Sequence, residues 1–140
     1  MSALAMTVDD ADDLRALVRT ILESNDFDVI EAASGRAALD LLAAGIRPDV
    51  VVLDVQMPDL DGWDTLAAIR ARPDTADVAV VLCTVRAAQA DIEHGWRLGC
   101  DGFLTKPFAI GELARTVLDV SSRTPDERAA LRTEHQAALT

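Results

Sequence analysis

The sequence has no tyrosine, only two cysteines, and no apolar run long enough to span a bilayer. Cys83 and Cys100 form no CxxC pair and lack the spacing of a metal site. Reduced thiols in a cytoplasmic protein are therefore expected, rather than a disulfide framework. The start of the chain carries no signal-peptide pattern, which adds to that expectation. Basic residues are scarce as well: 13 Lys and Arg stand against 24 Asp and Glu, for a formal net charge of −11. Nucleic acid and an anionic membrane would both be repelled, so direct binding to either is not expected. The same imbalance supplies the carboxylates that hard cations need. Half of the residues are hydrophobic, enough to fill a core, so the chain is not a disordered tail. Its 140 residues suit one globular domain with little left over.

What is present is an alternation of short apolar runs and amphipathic stretches. Ala3–Val8 reads as a strand that stops at Asp9 and Asp10. Leu14, Leu17, Val18, Ile21 and Leu22 then recur at the spacing of one helical face. Phe27–Ala32 is a second strand, followed by a helix capped by Ser34, with Ala38, Leu41 and Leu42 inward and Gly45 as its stop. In Asp49–Asp54 the run Val50-Val51-Val52-Leu53 is continuous rather than alternating, as in a strand covered on both faces of a parallel sheet. Val55–Gly62, with Pro58, has no period and reads as a loop. A helix over Trp63–Arg70, a strand over Val78–Cys83, a helix over Ala87–Leu98, a strand over Asp101–Thr105 and a helix over Ile110–Ser121 complete the pattern. Five βα units in a row predict an α/β sheet with helices on both faces, its ligands beyond the carboxyl ends of the strands.

Polar residues gather at those ends. Asp9 and Asp10 follow the first strand, Asp54 ends the third, Thr84 ends the fourth and Lys106 follows the fifth. A parallel sheet brings these ends to one edge. Three clustered carboxylates repel one another unless a cation joins them, and Mg²⁺, an octahedral oxygen-ligated ion, suits the task. Asp54 is then a nucleophile for a phosphoryl group, with Lys106 and the Thr84 hydroxyl meeting the phosphoryl oxygens. Each residue alone has a plain reading, such as a helix cap, a turn or a surface ammonium. Their joint placement at successive strand ends carries the signal.

With V-D-D at 8–10, V-V-L-D-V-Q-M-P-D-L-D-G at 51–62, Thr84 and G-F-L-T-K-P-F at 102–108, residues 4 to 120 resemble the receiver domain of two-component response regulators. That resemblance implies a flavodoxin-like, doubly wound (βα)5 sheet of strand order 2-1-3-4-5. It implies Asp54 as the phosphoacceptor and Asp10 and Asp54 as side-chain Mg²⁺ ligands. Asp9 would act mainly through water, and the Gln56 backbone carbonyl would be a third protein ligand. Lys106 and Thr84 would contact the phosphoryl group, and the peptide before Pro107 would be cis. Thr84 and Phe103 would form a switch pair that reshapes the face made by the fourth helix, fifth strand and fifth helix. Phe103 offers no phenolic hydroxyl to anchor either rotamer. Gln56 and Arg86, each two residues past a site residue, would tune the lifetime of the phosphorylated form. The partners implied are a sensor histidine kinase or phosphotransfer protein, an unidentified downstream protein, and a second copy of the chain through that same face.

Such a domain phosphorylates and dephosphorylates itself but turns over no free substrate. An aspartyl-phosphate phosphatase usually has an acid two residues after the nucleophile, where this chain has Gln56. A flavin protein of the same topology is disfavoured because no phosphate-binding loop follows the first strand. A phosphorylation-independent docking module would be favoured by a broken acidic pocket, but every member is present. Residues 121–140 form a tail in which Thr124, Pro125 and Glu127 compose a helix start. A short sixth helix is expected there, with a weak stripe of Leu131, His135, Ala138 and Leu139. That tail is too short for an output domain, so a stand-alone receiver is expected ahead of a fragment opening a linker. Trp63 and Trp96 are expected to pack, and His94 to be exposed.

Overall fold

The computed structural model describes residues 2–139. Five strands alternate with five helices: β1 (Ala3–Val8), α1 (Asp12–Glu23), β2 (Phe27–Ala32), α2 (Gly35–Ala43), β3 (Val50–Asp54), α3 (Gly62–Ala71), β4 (Val80–Thr84), α4 (Gln89–Leu98), β5 (Gly102–Thr105) and α5 (Ile110–Ser122). A sixth helix, α6 (Pro125–Ala138), follows. All pairings are parallel and the order is β2-β1-β3-β4-β5. This is the flavodoxin-like arrangement the resemblance implies.

The unbroken apolar run of β3 is explained by what covers it. Val51 and Leu53 face Ala38 and Leu42 of α2 and Leu66 and Ile69 of α3, while Val50 and Val52 face Val18, Ile21 and Leu22 of α1 and Leu113, Val117 and Val120 of α5. Every residue of β3 and β4 is buried. At about 1.5–3 kcal/mol per fully buried Val or Leu side chain, this double layer is the main source of stability. It also fixes the strand ends rigidly in register, Asp54 beside Cys83 and Thr84 beside Thr105.

Local chemistry sets the boundaries. Ser34 and Asp61 cap α2 and α3 by accepting from the Ala37 and Asp64 amides, at 3.0 and 2.9 Å. β4 begins at Val80 rather than Val78, because the Val78 amide closes a turn onto the Thr75 carbonyl. α4 begins at Gln89 rather than Ala87, because the Arg86 amide is held by the Thr84 hydroxyl. On α1 only Val18, Ile21 and Leu22 of the expected face are buried; Leu14 and Leu17 are 40% and 45% exposed. α1 follows β1 and so starts at the carboxyl edge of the sheet.

The tail differs most from expectation. α6 has 14 residues, the longest helix among those described, and it opens with the expected capping box of Thr124 and Glu127. The expected stripe is only partly used: Leu131 and Leu139 are half-buried and Ala138 is exposed, while the buried residues are Arg128 and Arg132. Arg132 meets the buried carboxylate of Asp101 at 2.6 Å, and Arg70 meets it from the other side at 2.9 Å. Asp101 also accepts from the Val80 amide at 2.9 Å. Further along, His135 stacks on Trp96 with ring centroids 3.9 Å apart, and Gln136 donates to the Trp96 carbonyl at 3.1 Å. Polar matching docks α6 onto the carboxyl-terminal part of α4.

Candidate functional site

At the carboxyl edge, β1 delivers Asp9 and Asp10, β3 delivers Asp54, and the residue after β5 is Lys106. Asp9 and Asp54 are buried and Asp10 is exposed. Each of the three offers a carboxylate oxygen, and these oxygens lie within 4.8 Å of one another. The Lys106 ammonium sits 2.7 Å from Asp54 Oδ1 and 3.3 Å from Asp9 Oδ2. Lys106 is the one lysine in the sequence. Three carboxylates against one ammonium leave negative charge uncompensated, and oxygen donors at this separation suit a hard divalent cation.

The same crowding shows in the acid–base behaviour. Burial holds the Asp54 carboxyl above its usual range; Lys106 pulls it back down, and Asp9 and Asp10 add to the rise. For Lys106, burial is the largest single influence and lowers its pKa, but Asp54 and Asp9 together outweigh it and leave the ammonium more basic than usual. Nearby, burial pushes the Cys83 thiol up to about 12, and Cys100 likewise to about 12, so both are neutral thiols at physiological pH.

The loop after β3 closes the site. The Val55 carbonyl accepts from the Met57 amide at 3.1 Å and from the Gly62 amide at 2.9 Å, folding the loop back onto the strand. A side chain at residue 62 would bring its Cβ within 2.5 Å of the Asp54 carbonyl oxygen, so only glycine fits. The sequence pattern puts Gly62 at the end of a loop, whereas it opens α3, and this close approach is what requires a glycine there. Thr84 is fully buried. Its hydroxyl donates to Gln56 Oε1 at 2.9 Å and accepts from the Arg86 amide at 2.9 Å. The Lys106–Pro107 peptide is cis.

The remaining expected residues lie further out. Phe103 is half-buried, and a Cβ added to Gly95 of α4 would stand 3.1 Å from its ring. The Arg86 side chain is 65% exposed and lies 3.5 Å from Asp91. His94 is exposed and meets Trp63 edge-on at 4.7 Å. Trp63 and Trp96 both pack against the core.

The structure is thus an α/β domain whose five-stranded parallel sheet carries an acidic pocket and one ammonium at its carboxyl edge. Residues 5–118 match the model of the response regulator receiver domain, and the chain belongs to that family. It is 39% identical over 130 residues to the response regulator MprA of Mycolicibacterium vanbaalenii, covering 92% of this chain and 55% of that protein. It is 39% identical over 119 residues to the transcriptional regulatory protein CpxR of Escherichia coli K12, covering 85% of this chain and 49% of that protein. The chain thus spans about half the length of these relatives. Among solved structures, the Vibrio cholerae chemotaxis protein CheY4 superposes with a TM-score of 0.80 at 30% identity, covering 86% of this chain and 99% of that one. The receiver domain of a Pseudomonas aeruginosa sensor histidine kinase, solved with a magnesium ion coordinated in its active site cleft, gives 0.79 at 27% identity, covering 88% of this chain and all of that one (100%). Among the described residues no helix is long and apolar enough to cross a membrane.

Proposed function

We propose that the domain is a phosphorylation switch of a two-component system, charged on Asp54 by a sensor histidine kinase or a phosphotransfer protein in the cytoplasm. The observation that carries this reading is the convergence of the Asp9, Asp10 and Asp54 oxygens within 4.8 Å, with the Lys106 ammonium 2.7 Å from Asp54. Asp10 and Asp54 would hold Mg²⁺ with the Gln56 backbone carbonyl, and Asp9 would contribute through water. When bound, the cation supplies positive charge that offsets the phosphoryl oxygens.

The chain's own residues do the rest. An Asp54 carboxylate oxygen forms a bond to phosphorus as the donor's bond to phosphorus breaks, and that electron pair leaves on the donor. Lys106 holds the Asp54 oxygen in place beforehand and offers its charge to the transferred group. Thr84 has a hydroxyl proton to give to a phosphoryl oxygen. Hydrolysis reverses the state: water's oxygen bonds phosphorus, the Asp54 oxygen leaves, and carboxylate and inorganic phosphate result. No free substrate is turned over, so the domain is a switch rather than an enzyme.

Output would run through Thr84 and Phe103 to the face made by α4, β5 and α5, where an unidentified downstream protein or a second copy of the chain would bind. α6 already lies on Trp96 at the far end of that face, so such contacts would use the end nearer the exposed Ile110. The test is to incubate the protein with Mg²⁺ and a small phosphodonor and weigh the product. A single phosphate adduct is expected, absent from Asp54→Asn; labelling of that variant at another residue would overturn the assignment. The same labelled protein, followed as it decays, checks a role for Arg86. Released from Asp91, its guanidinium would reach toward the phosphoryl group and lengthen its lifetime. Arg86→Ala should then lose phosphate faster, and an unchanged decay would rule this out.

A further inference from the structure

We propose that the Gln56 side chain is a latch that occupies the Thr84 hydroxyl proton in the resting domain and so sets how readily the domain takes a phosphoryl group. The inference deepens the proposed function and rests on it. A threonine hydroxyl has one proton to donate and two lone pairs to accept with. At Thr84 the oxygen already accepts from the Arg86 amide at 2.9 Å, and the side chain is fully buried, so its proton needs an acceptor. That acceptor is Gln56 Oε1, at 2.9 Å. The amide end of Gln56 cannot replace it, because an N–H aimed at Oγ1 would leave the buried hydroxyl proton without a partner.

The consequence is a competition for one proton. Thr84 ends β4 beside β3, whose last residue is Asp54, so a phosphoryl oxygen on Asp54 is the second acceptor within reach. The Thr84 proton cannot serve both acceptors fully. Gln56 is exposed, so on release its carbonyl regains water at little cost, whereas Thr84 has no solvent to turn to. Release of Gln56 is therefore cheap, and removing its carbonyl frees the Thr84 proton in advance. The Gln56 backbone carbonyl is a separate group, and substituting the side chain leaves that carbonyl in place.

The test uses the full chain with saturating Mg²⁺ and beryllium trifluoride, a phosphoryl mimic, read by calorimetry. Gln56→Met keeps the length of the side chain and removes its acceptor. It is expected to tighten beryllium trifluoride binding about two- to tenfold, the factor of one net neutral hydrogen bond. In a Thr84→Ala background, or the isosteric Thr84→Val, the gain from Gln56→Met should vanish; in Thr84→Ser, which keeps the hydroxyl, it should return. An equal gain with and without the hydroxyl would overturn the latch, since Gln56 would then act by crowding. No gain with Thr84 present would overturn it too. Should beryllium trifluoride fail to bind the wild type, or bind Asp54→Asn equally well, the switch reading itself fails and the latch with it.

Discussion

Lys106→Ala should slow phosphorylation by a small phosphodonor about 100- to 1,000-fold, the usual effect of removing one preorganised group from a developing oxyanion. In the same variant, Mg²⁺ should bind more tightly. The two effects have opposite signs because the ammonium plays two parts. It lies 2.7 Å from Asp54 and 3.3 Å from Asp9, so it offers positive charge to an incoming phosphoryl group and also competes with any cation for the same carboxylates. Removing it takes away the ammonium that contacts the Asp54 and Asp9 carboxylates. The gain in cation affinity lies between roughly 1 kcal/mol, for unit charges about 4 Å apart in water, and ~4 kcal/mol near a protein surface. A tenfold tightening falls inside that range. Fluorescence of the two tryptophans during Mg²⁺ titration, paired with phosphate labelling, measures both. If Mg²⁺ affinity falls along with phosphorylation, Lys106 is organising the pocket rather than competing for it.

Asp101→Ala should cost about 3–5 kcal/mol of stability, the loss expected when one member of a buried ion network is removed and its partners stay behind. The Asp101 carboxylate is only 2% exposed, while Arg70 and Arg132 beside it are 14% and 11% exposed. Burial already pushes the Arg70 guanidinium down to about 10, and Asp101 is the carboxylate that supports its charge; its other partners are the neutral carbonyls of Ala76, Val78 and Gly99. For a chain of this size the loss corresponds to a melting point lower by roughly 10–20 °C. By contrast, the exposed pair of Arg72 and Asp74 should matter little, because water and salt screen it. A melting point for Asp101→Ala within two or three degrees of wild type would show that water already satisfies the two arginines. Arg132→Ala separates the parts of the network: it should loosen α6 first and expose the segment between Ser122 and Pro125 to proteolysis.

These two sites were unequally legible in the sequence. Asp9, Asp54, Thr84 and Lys106 could be found because each follows or ends an apolar run, and a parallel sheet must gather such ends on one edge. The order of the strands could not be read that way, since periodicity says nothing about which strand lies beside which; it came from the family resemblance. The docking of α6 was hidden for a different reason. Helical patterns are recognised by apolar spacing, and this seam holds Arg132, paired with a carboxylate 31 residues away, and Arg128, which donates to the carbonyls of Arg123 and Asp77. Gln56 drew attention only as the second residue past Asp54; the partner of its side chain is 28 residues distant and invisible to local reasoning. On α1 the spacing of Leu14 and Leu17 was genuinely helical, yet only Val18, Ile21 and Leu22 of that stripe are buried.

That the pocket's ammonium belongs to the chain's one lysine makes the site spectroscopically self-labelled. Protein grown on isotopically enriched lysine would show a single side-chain signal, with no assignment needed. Its shift would follow the charge state of Asp54 and the arrival of a cation or phosphoryl group from one atom's viewpoint. Toward amine-directed reagents the ion-paired Lys106 would be slow to react until its carboxylate partners are drawn away.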